Sequence, residues 1–442
     1  MKPVKIGVLG LGTVGCGSVT VLTRNAEEIA RRAGRKIEVS MAAVRDLDRA
    51  RICNTEGIRL TTDPFEVAND PEVEIVLELM GGTELAREVV LQAIAEGKHI
   101  VTANKALIAI HGNELFSKAQ EMGVMVAFEA AVAGGIPIIK AIREGLAANQ
   151  INWLAGIING TGNFILTEMK ERGRSFENVL TEAQELGYAE ADPSFDVEGT
   201  DAAHKLTILA SIAFGIPLQF EKAMTEGITK ITTQDVSYAE ELGYRIKHLG
   251  VARMSSGGVE LRVHPTLIPE RQLIANVDGV MNAVLVMGDA VGPTLYYGAG
   301  AGDEPTASAV VADTVDVVRA LTSDPENRVP HLAFQPDALT DIPILPIEEI
   351  KTAYYLRISV EDSPGVLAEI TKVLGDEEIN IESFMQKDVE GEGVNENSSS
   401  WVPIILLTKV CREGRMNRAI AAIETLDCVA GEVMRIRVES LD

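Results

Sequence analysis

The sequence predicts an α/β chain in three parts: a nucleotide-binding parallel sheet, an α+β middle region and a small ferredoxin-like tail. Three observations predict it. The apolar run VKIGVL (residues 4–9) ends in the glycine turn Gly10-Leu11-Gly12-Thr13-Val14-Gly15 and leads into a helix-like stretch, SVTVLTRNAEEIA. Strand-like and helix-like runs then alternate to about residue 130, the pattern of a doubly wound parallel sheet. Finally, five of the 17 prolines fall within residues 325–346, and a β-α-β-β-α-β order follows them. At 442 residues the chain exceeds what one core usually holds, so several domains are expected.

Composition narrows the functional classes. A formal charge of −25 would repel a phosphate backbone, which argues against nucleic-acid binding. No run reaches the roughly 18 uncharged apolar residues of a membrane span, and MKPVKIGVLG leads straight into a strand-like run; a cytoplasmic protein is expected. Cys16, Cys53, Cys411 and Cys428 form no CxxC pair, against a disulfide framework or zinc cluster, and read as buried or incidental thiols, Cys53 on a surface-like stretch. His99, His111, His204, His248, His264 and His331 show no transition-metal spacing.

Residues 1–135 read as a Rossmann-type NAD(P)-binding domain. In its first turn Gly10 permits the bend, Gly12 lets the backbone approach a pyrophosphate, and Gly15 lets the helix pack closely. The helix N-terminus offers unpaired amides to the phosphates. Further strand-like runs stand at 37–44, 74–79, 99–103 and 124–130. Ligands lie at the carboxyl ends of such strands, which directs attention to Arg45-Asp46, Gly81-Gly82-Thr83 and Thr102-Ala103-Asn104-Lys105. An arginine after the second strand suits a 2′-phosphate and an acid suits a free ribose, so Arg45, standing first, favours NADP, while Asp46 leaves NAD open.

Residues 136–303 mix longer helices with antiparallel-looking strands and read as an α+β substrate and dimerisation domain. EPTASAVVADTVDVVRAL (304–321) is a helix that returns to the nucleotide domain within residues 304–324. Residues 325–350 read as a stiff, extended connector and 351–442 as a separable tail, where Asp362-Ser363-Pro364-Gly365-Val366-Leu367 opens a helix. DVEGEGVNENSSS (388–400) is expected to be a mobile hairpin loop.

DVEGTDAAHKL (196–206) places Asp201 and Lys205 four apart at the head of an apolar stretch. Taken alone the pair is a helix staple worth about 0.3–0.5 kcal/mol. Charges at the edge of a buried helix, however, usually have partners or work to do.

GLGTVG, TANKAL (102–107), EAAVAGGIPII (129–139), NGTGN (159–163), LGYAEADPSFDVEGTDAAHKL (186–206) and GAGAGDEPTASAVVAD (298–313) together resemble homoserine dehydrogenase, and the DxPGVL turn resembles an ACT domain, a small-ligand regulatory module. The resemblance implies reversible NAD(P)-linked reduction of L-aspartate 4-semialdehyde to L-homoserine, on the route to threonine, methionine and isoleucine. It implies Lys205 as proton donor, with Asp201 orienting substrate or water and Lys105 as the rival acid/base. Glu190 would bind the substrate ammonium, with Tyr188 beside it. Backbone amides at Gly160 and Thr161 could cradle the carboxylate, although a plain strand-to-helix turn fits the spacing equally. Gly10, Gly12, Thr13, Val14, Gly15, Arg45, Thr102, Lys105, Gly187 and Gly302 would hold the cofactor. Glu129, Val132, Gly134 and Ile136 would hold a monovalent cation, sodium in the family. Threonine would be the effector, acting where two tails meet in a homodimer or homotetramer. A chain ending near Leu345 is then expected to keep dehydrogenase activity and lose threonine inhibition. A thioester-forming semialdehyde dehydrogenase lacks a suitably placed cysteine. A non-catalytic amino-acid and nucleotide sensor remains the alternative.

Overall fold

The computed structural model describes residues 2–322, 324–325, 328–386 and 401–441, so the loop expected at 388–400 lies outside the described residues. In the first domain, β1 (Val4–Leu9), β2 (Ile37–Ala43), β3 (Arg59–Thr61), β4 (Ile75–Glu78), β5 (His99–Thr102) and β6 (Val126–Ala127) form a parallel sheet ordered β3-β2-β1-β4-β5-β6. Successive strands leave β1 in opposite directions, so the crevice at the switch point opens beside the glycine turn. Its helices are α1 (Thr13–Arg24), α2 (Ala26–Ala33), α3 (Pro64–Asn69), α4 (Glu84–Ala95) and α5 (Lys105–Glu121).

Two strand expectations differ from the structure. The three-residue β3 carries no recognisable strand pattern and still adds an edge to β2. The run 124–130 forms only the two-residue β6, because Glu129–Ala131 turns into a 3-10 helix. There the Glu129 amide donates to Asp313 and its carboxylate accepts from the Ile139 and Lys140 amides, which bends the chain away from the sheet.

The short α6 (Ile138–Lys140) leads into a mixed region with β7 (Ile151–Ile157), α7 (Gly160–Arg172), α8 (Phe176–Glu185), α9 (Ser194–Val197), α10 (Thr200–Phe214), β8 (Met224–Thr225) and α11 (Thr233–Glu241). The strands β9 (Tyr244–Ser255), β10 (Gly258–Pro269), β11 (Met281–Gly288) and β12 (Gly292–Ala299) follow. Then α12 (Asp303–Ala320) packs along α1, where a Cβ on Gly17 would lie 2.6 Å from the Asp303 carbonyl.

The connector is not a free spacer. Ile344 bridges to Val259, the Thr340 amide donates to Gly215 at 2.8 Å, and His331 accepts from the Val126 amide while stacking on Phe116. The segment is not extended throughout, since it turns at Ala333 and forms a 3-10 helix over Pro336–Ala338, and its longer-range hydrogen bonds strap it to both preceding domains.

The tail comprises β13 (Lys351–Glu361), α13 (Val366–Asp376), β14 (Ile381–Gln386), β15 (Trp401–Thr408), a short β16 (Cys411–Arg412), α14 (Glu413–Ile423) and β17 (Val429–Val438). It does not stand apart. β17 pairs in parallel with β10 through Thr266–Arg437 and Leu267–Val438, giving one sheet ordered β12-β11-β7-β9-β10-β17-β13-β15-β14. Tyr355, Ile405, Leu407 and Ile436 share a buried cluster with Ile165, Val179, Ile228 and Leu267. The separable tail expected from the prolines is thus part of a continuous core. Alternating apolar residues on β13 and β15 show that a face is buried, but not against which domain.

Candidate active site

Every residue of α10 from Asp201 to Phe214 is buried, so the i,i+4 pair lies inside the protein. The helix starts at Gly199, whose φ of 89° suits glycine and turns the chain sharply into it. Asp201 is 2 % exposed and Lys205 9 %. Lys205 Nζ donates to Asp201 Oδ2 and to the Ile158 carbonyl, both at 2.7 Å. Lys105, the first residue of α5, approaches from the nucleotide domain with Nζ 2.9 Å from Asp201 Oδ1. One carboxylate therefore joins two lysines across the domain boundary.

Burial penalises the charge on Asp201, but the ammoniums of Lys205 and Lys105 outweigh it and hold the carboxyl well below the usual range. Lys205 is pushed down by burial, which Asp201 only partly offsets and Lys105 reinforces. Lys105 feels burial too, yet Asp201, Asp196 and Glu190 raise it. The two lysines thus differ in acidity, and Lys205 gives up its proton more readily. Lys105 is also the more open, with 34 % of its side chain exposed and Nζ 5.5 Å from the Phe195 ring centroid.

Asn159, missed as an individual residue in the sequence, joins the parts of this cluster. Its Nδ2 donates to Asp196 at 2.7 Å and to Asp201 Oδ2 at 2.8 Å, while its Oδ1 caps α7 through the Gly162 amide. The cap leaves the first amides of α7, those of Gly160 and Thr161, without helical partners. Thr161 Oγ1 donates to the Tyr188 carbonyl at 2.6 Å, and Tyr188 lies edge-on to Phe164. Glu190 and Gly187 are exposed on the same connection between α8 and α9. Carboxylates, two lysines and the free amides at the start of α7, gathered around Asn159, suit a small zwitterion carrying a reducible carbonyl.

The glycine turn lines a cleft of about 1020 Å3 with Gly10, Gly12 and Thr13 on one side and Arg45, Arg49 and Arg51 at the far end of β2. Gly10 has φ 97°, and a Cβ there would press on the Leu79 carbonyl. A Cβ on Gly15 would fall 2.0 Å from the Gly10 carbonyl, so this glycine serves the turn as much as helix packing. Nothing lies within 4 Å of a Cβ built on Gly12, which leaves space for a ligand backbone. Val14 packs in the apolar cluster behind the turn, and Gly302 opens α12. Asp46 accepts from the Asp48 amide, turning its carboxylate toward its own loop.

Thr102 does not offer its hydroxyl to the cleft. Its Oγ1 donates to the fully buried Glu78 at 2.6 Å and accepts from the Asn104 amide. Asn104 in turn caps α5 and donates to the Gly82 carbonyl, tying the start of Lys105's helix to the Gly81-Gly82 loop. Cys53 lies on a surface stretch, between the exposed Ile52 and Asn54, but its own side chain turns inward, with Sγ 2.7 Å from Cys16 Sγ.

In the turn after Glu129, Ala133 and Gly134 have φ of 53° and 27°. The carbonyls of Val132 and Gly134 accept no backbone hydrogen bond among the described residues, while Ile136 O accepts from the Ile138 amide at 2.7 Å. The Glu129 carboxylate, committed to two amides, is pushed up to about 7 by burial and by Asp313. A buried turn with open carbonyl oxygens is chemically suited to a hard monovalent cation.

Three family models match the chain: homoserine dehydrogenase over residues 137–315, the homoserine dehydrogenase NAD-binding domain over 10–129, and the ACT domain over 354–427. A homoserine dehydrogenase of Pseudomonas aeruginosa is 69% identical over 442 residues, covering 100% of both chains. The crystal structure of a homoserine dehydrogenase from Thiobacillus denitrificans superposes with a TM-score of 0.94 at 66% identity, covering 100% of this chain and 99% of that one. A hyperthermophilic archaeal homoserine dehydrogenase in complex with NADPH gives 0.59 at 26% identity, covering 72% of this chain and 98% of the other.

Proposed function

The chain belongs to the homoserine dehydrogenase family and catalyses the reversible NAD(P)-linked interconversion of L-aspartate 4-semialdehyde and L-homoserine, and from that premise we propose how its residues divide the work. The carrying observation is the pairing of Lys205 and Lys105 on the single carboxylate of Asp201. A nicotinamide dinucleotide bound along the glycine turn supplies or accepts the hydride. Lys205 donates a proton to the developing alkoxide, and the pKa that burial lowers makes it a stronger acid than an ordinary lysine. Asp201 holds Lys205 and orients substrate or water, and Lys105 stabilises the negative oxygen. Glu190 and Tyr188 receive the substrate ammonium, and the amides of Gly160 and Thr161 receive its carboxylate.

Arg45, with Arg49 and Arg51 on the same cleft, supports NADP over NAD, because guanidinium groups pair well with a 2′-phosphate. Thr13, Val14, Gly187 and Gly302 complete the cofactor contacts in this reading. The open carbonyls of Val132 and Gly134, with Glu129 and a remaining lone pair on the Ile136 carbonyl, support a sodium site. The ACT domain points to an amino-acid effector, for which threonine, the pathway product, is the reading adopted, in a homodimer or homotetramer in the cytoplasm. No helix of the described residues is long and apolar enough to cross a membrane. Nothing favours the non-catalytic sensor. The test is Lys205→Ala: breaking the buried pair should lower the melting temperature, and well below that lowered melting point the folded variant should still lose about a hundredfold or more in turnover. Near-normal turnover would reduce the pair to a helix staple.

A further inference from the structure

Glu226 follows β8 at the seam between the ACT and substrate domains, and the scheme above gives it no role. We propose that Glu226, gripped by Arg437 of the ACT domain, is a positioning residue for the substrate site, which makes that domain part of the site's support. Arg437 Nη1 lies 2.7 Å from Glu226 Oε2, and Arg435 reaches the same oxygen at 3.4 Å. Arg437 is itself buried and anchored to Glu413 at the start of α14, so the grip transmits the position of the ACT helix. The Glu226 amide donates to Val263, and its carbonyl lies 3.0 Å from His248 Nε2.

His248 then meets both helix starts of the site. A Cβ on Gly199, the cap of α10, would lie 3.2 Å from His248 Cε1, and one on Gly162, in the first turn of α7, would lie 3.6 Å from His248 Nδ1. Burial keeps this imidazole neutral, so the carbonyl of Glu226 fixes the proton on Nε2 and with it the ring's orientation. A second path runs along the backbone. The Ile228 amide donates to the Val197 carbonyl at 3.0 Å, and Gly227 packs so closely that a Cβ would come 2.5 Å from Glu198 Oε2. Val197 and Glu198 lie between Asp196 and Asp201, the two carboxylates that Asn159 joins. Displacement of β17 is therefore felt at the substrate carboxylates and not at the glycine turn.

The inference rests on the substrate reading of the Asp201 site, and Glu190→Gln tests that reading separately: an unchanged KM for homoserine there would sink it whatever Glu226 does. In the full-length enzyme, Glu226→Gln, which can still accept from Arg437 but carries no charge, should raise the KM for homoserine about three- to tenfold, the weight of weakening a charge-assisted hydrogen bond to a neutral one. The NADPH dissociation constant, from fluorescence titration without turnover, should stay within about twofold, less than such a loss. His248→Leu should reproduce that split, and His248→Gln, which can still donate to the Glu226 carbonyl, should restore most of the affinity. An unchanged homoserine KM in Glu226→Gln, or equal shifts in both constants, would overturn the proposal.

Discussion

Asp201 carries the heaviest electrostatic load of any single residue in the site. It is buried between Lys205 and Lys105 and takes a third bond from Asn159. Breaking a buried ion pair by removing one partner typically costs about 3–5 kcal/mol, so Asp201→Asn should lower the melting temperature as well as turnover. An unchanged melting temperature, read by calorimetry, would mean that the lysines find other partners. Arg45→Ala tests the other end of the molecule's chemistry: the KM for NADPH should rise well above that for NADH, since only the former offers a 2′-phosphate. Equal changes would remove Arg45 from cofactor choice. At this scale the sequence was partly legible. The spacing of Asp201 and Lys205 put them on one helix face, but Asn159, Glu78 and the Cys16–Cys53 contact depend on residues 24–42 positions apart in sequence meeting in space.

Among the elements, the strand-turn-helix of residues 4–24 is the most legible, because glycine spacing and apolar run specify it together. The turn tolerates no added carbon at Gly15. Gly15→Ala forces a methyl within 2.0 Å of the Gly10 carbonyl, and overpacking of this kind costs about 1–3 kcal/mol. A lower melting temperature and weaker NADPH binding in titration are expected; wild-type values for both would show that the turn can shift at little cost. α10 was legible as a helix by the length of its apolar stretch, but its complete burial was not, since both domains and the connector pack around it. β6 was overestimated for the opposite reason: the apolar pattern continues after the strand stops, and only the contact of Glu129 with Asp313 and α6 ends it.

Across the whole molecule, the order of domains was legible and their independence was misjudged. Proline density signals an extended segment, and extension is compatible with either a tether or a strap. Here residues 331–345 are bonded along their length, and the ACT strand β17 completes the substrate sheet. A chain ending near Leu345 would uncover Leu267, Ile246 and Ile228 and leave Arg262 without Glu439 and Glu226 without Arg437. It is therefore expected to melt at a lower temperature than the full chain and to aggregate, rather than to survive as an uninhibited dehydrogenase. A soluble, fully active truncated chain would show that the seam is dispensable.

The proton's carrier is the point on which the chemistry turns. As the group that donates in reduction, Lys205 must be protonated, so reduction weakens as pH rises through its depressed pKa, whereas homoserine oxidation, which needs the neutral amine, gains over the same range. The decisive measurement is kcat for homoserine oxidation against pH in the wild type, Lys205→Ala and Lys105→Ala. The rising limb should vanish in Lys205→Ala and persist, at reduced amplitude, in Lys105→Ala; a limb that persists in Lys205→Ala and vanishes in Lys105→Ala would make Lys105 the proton carrier instead.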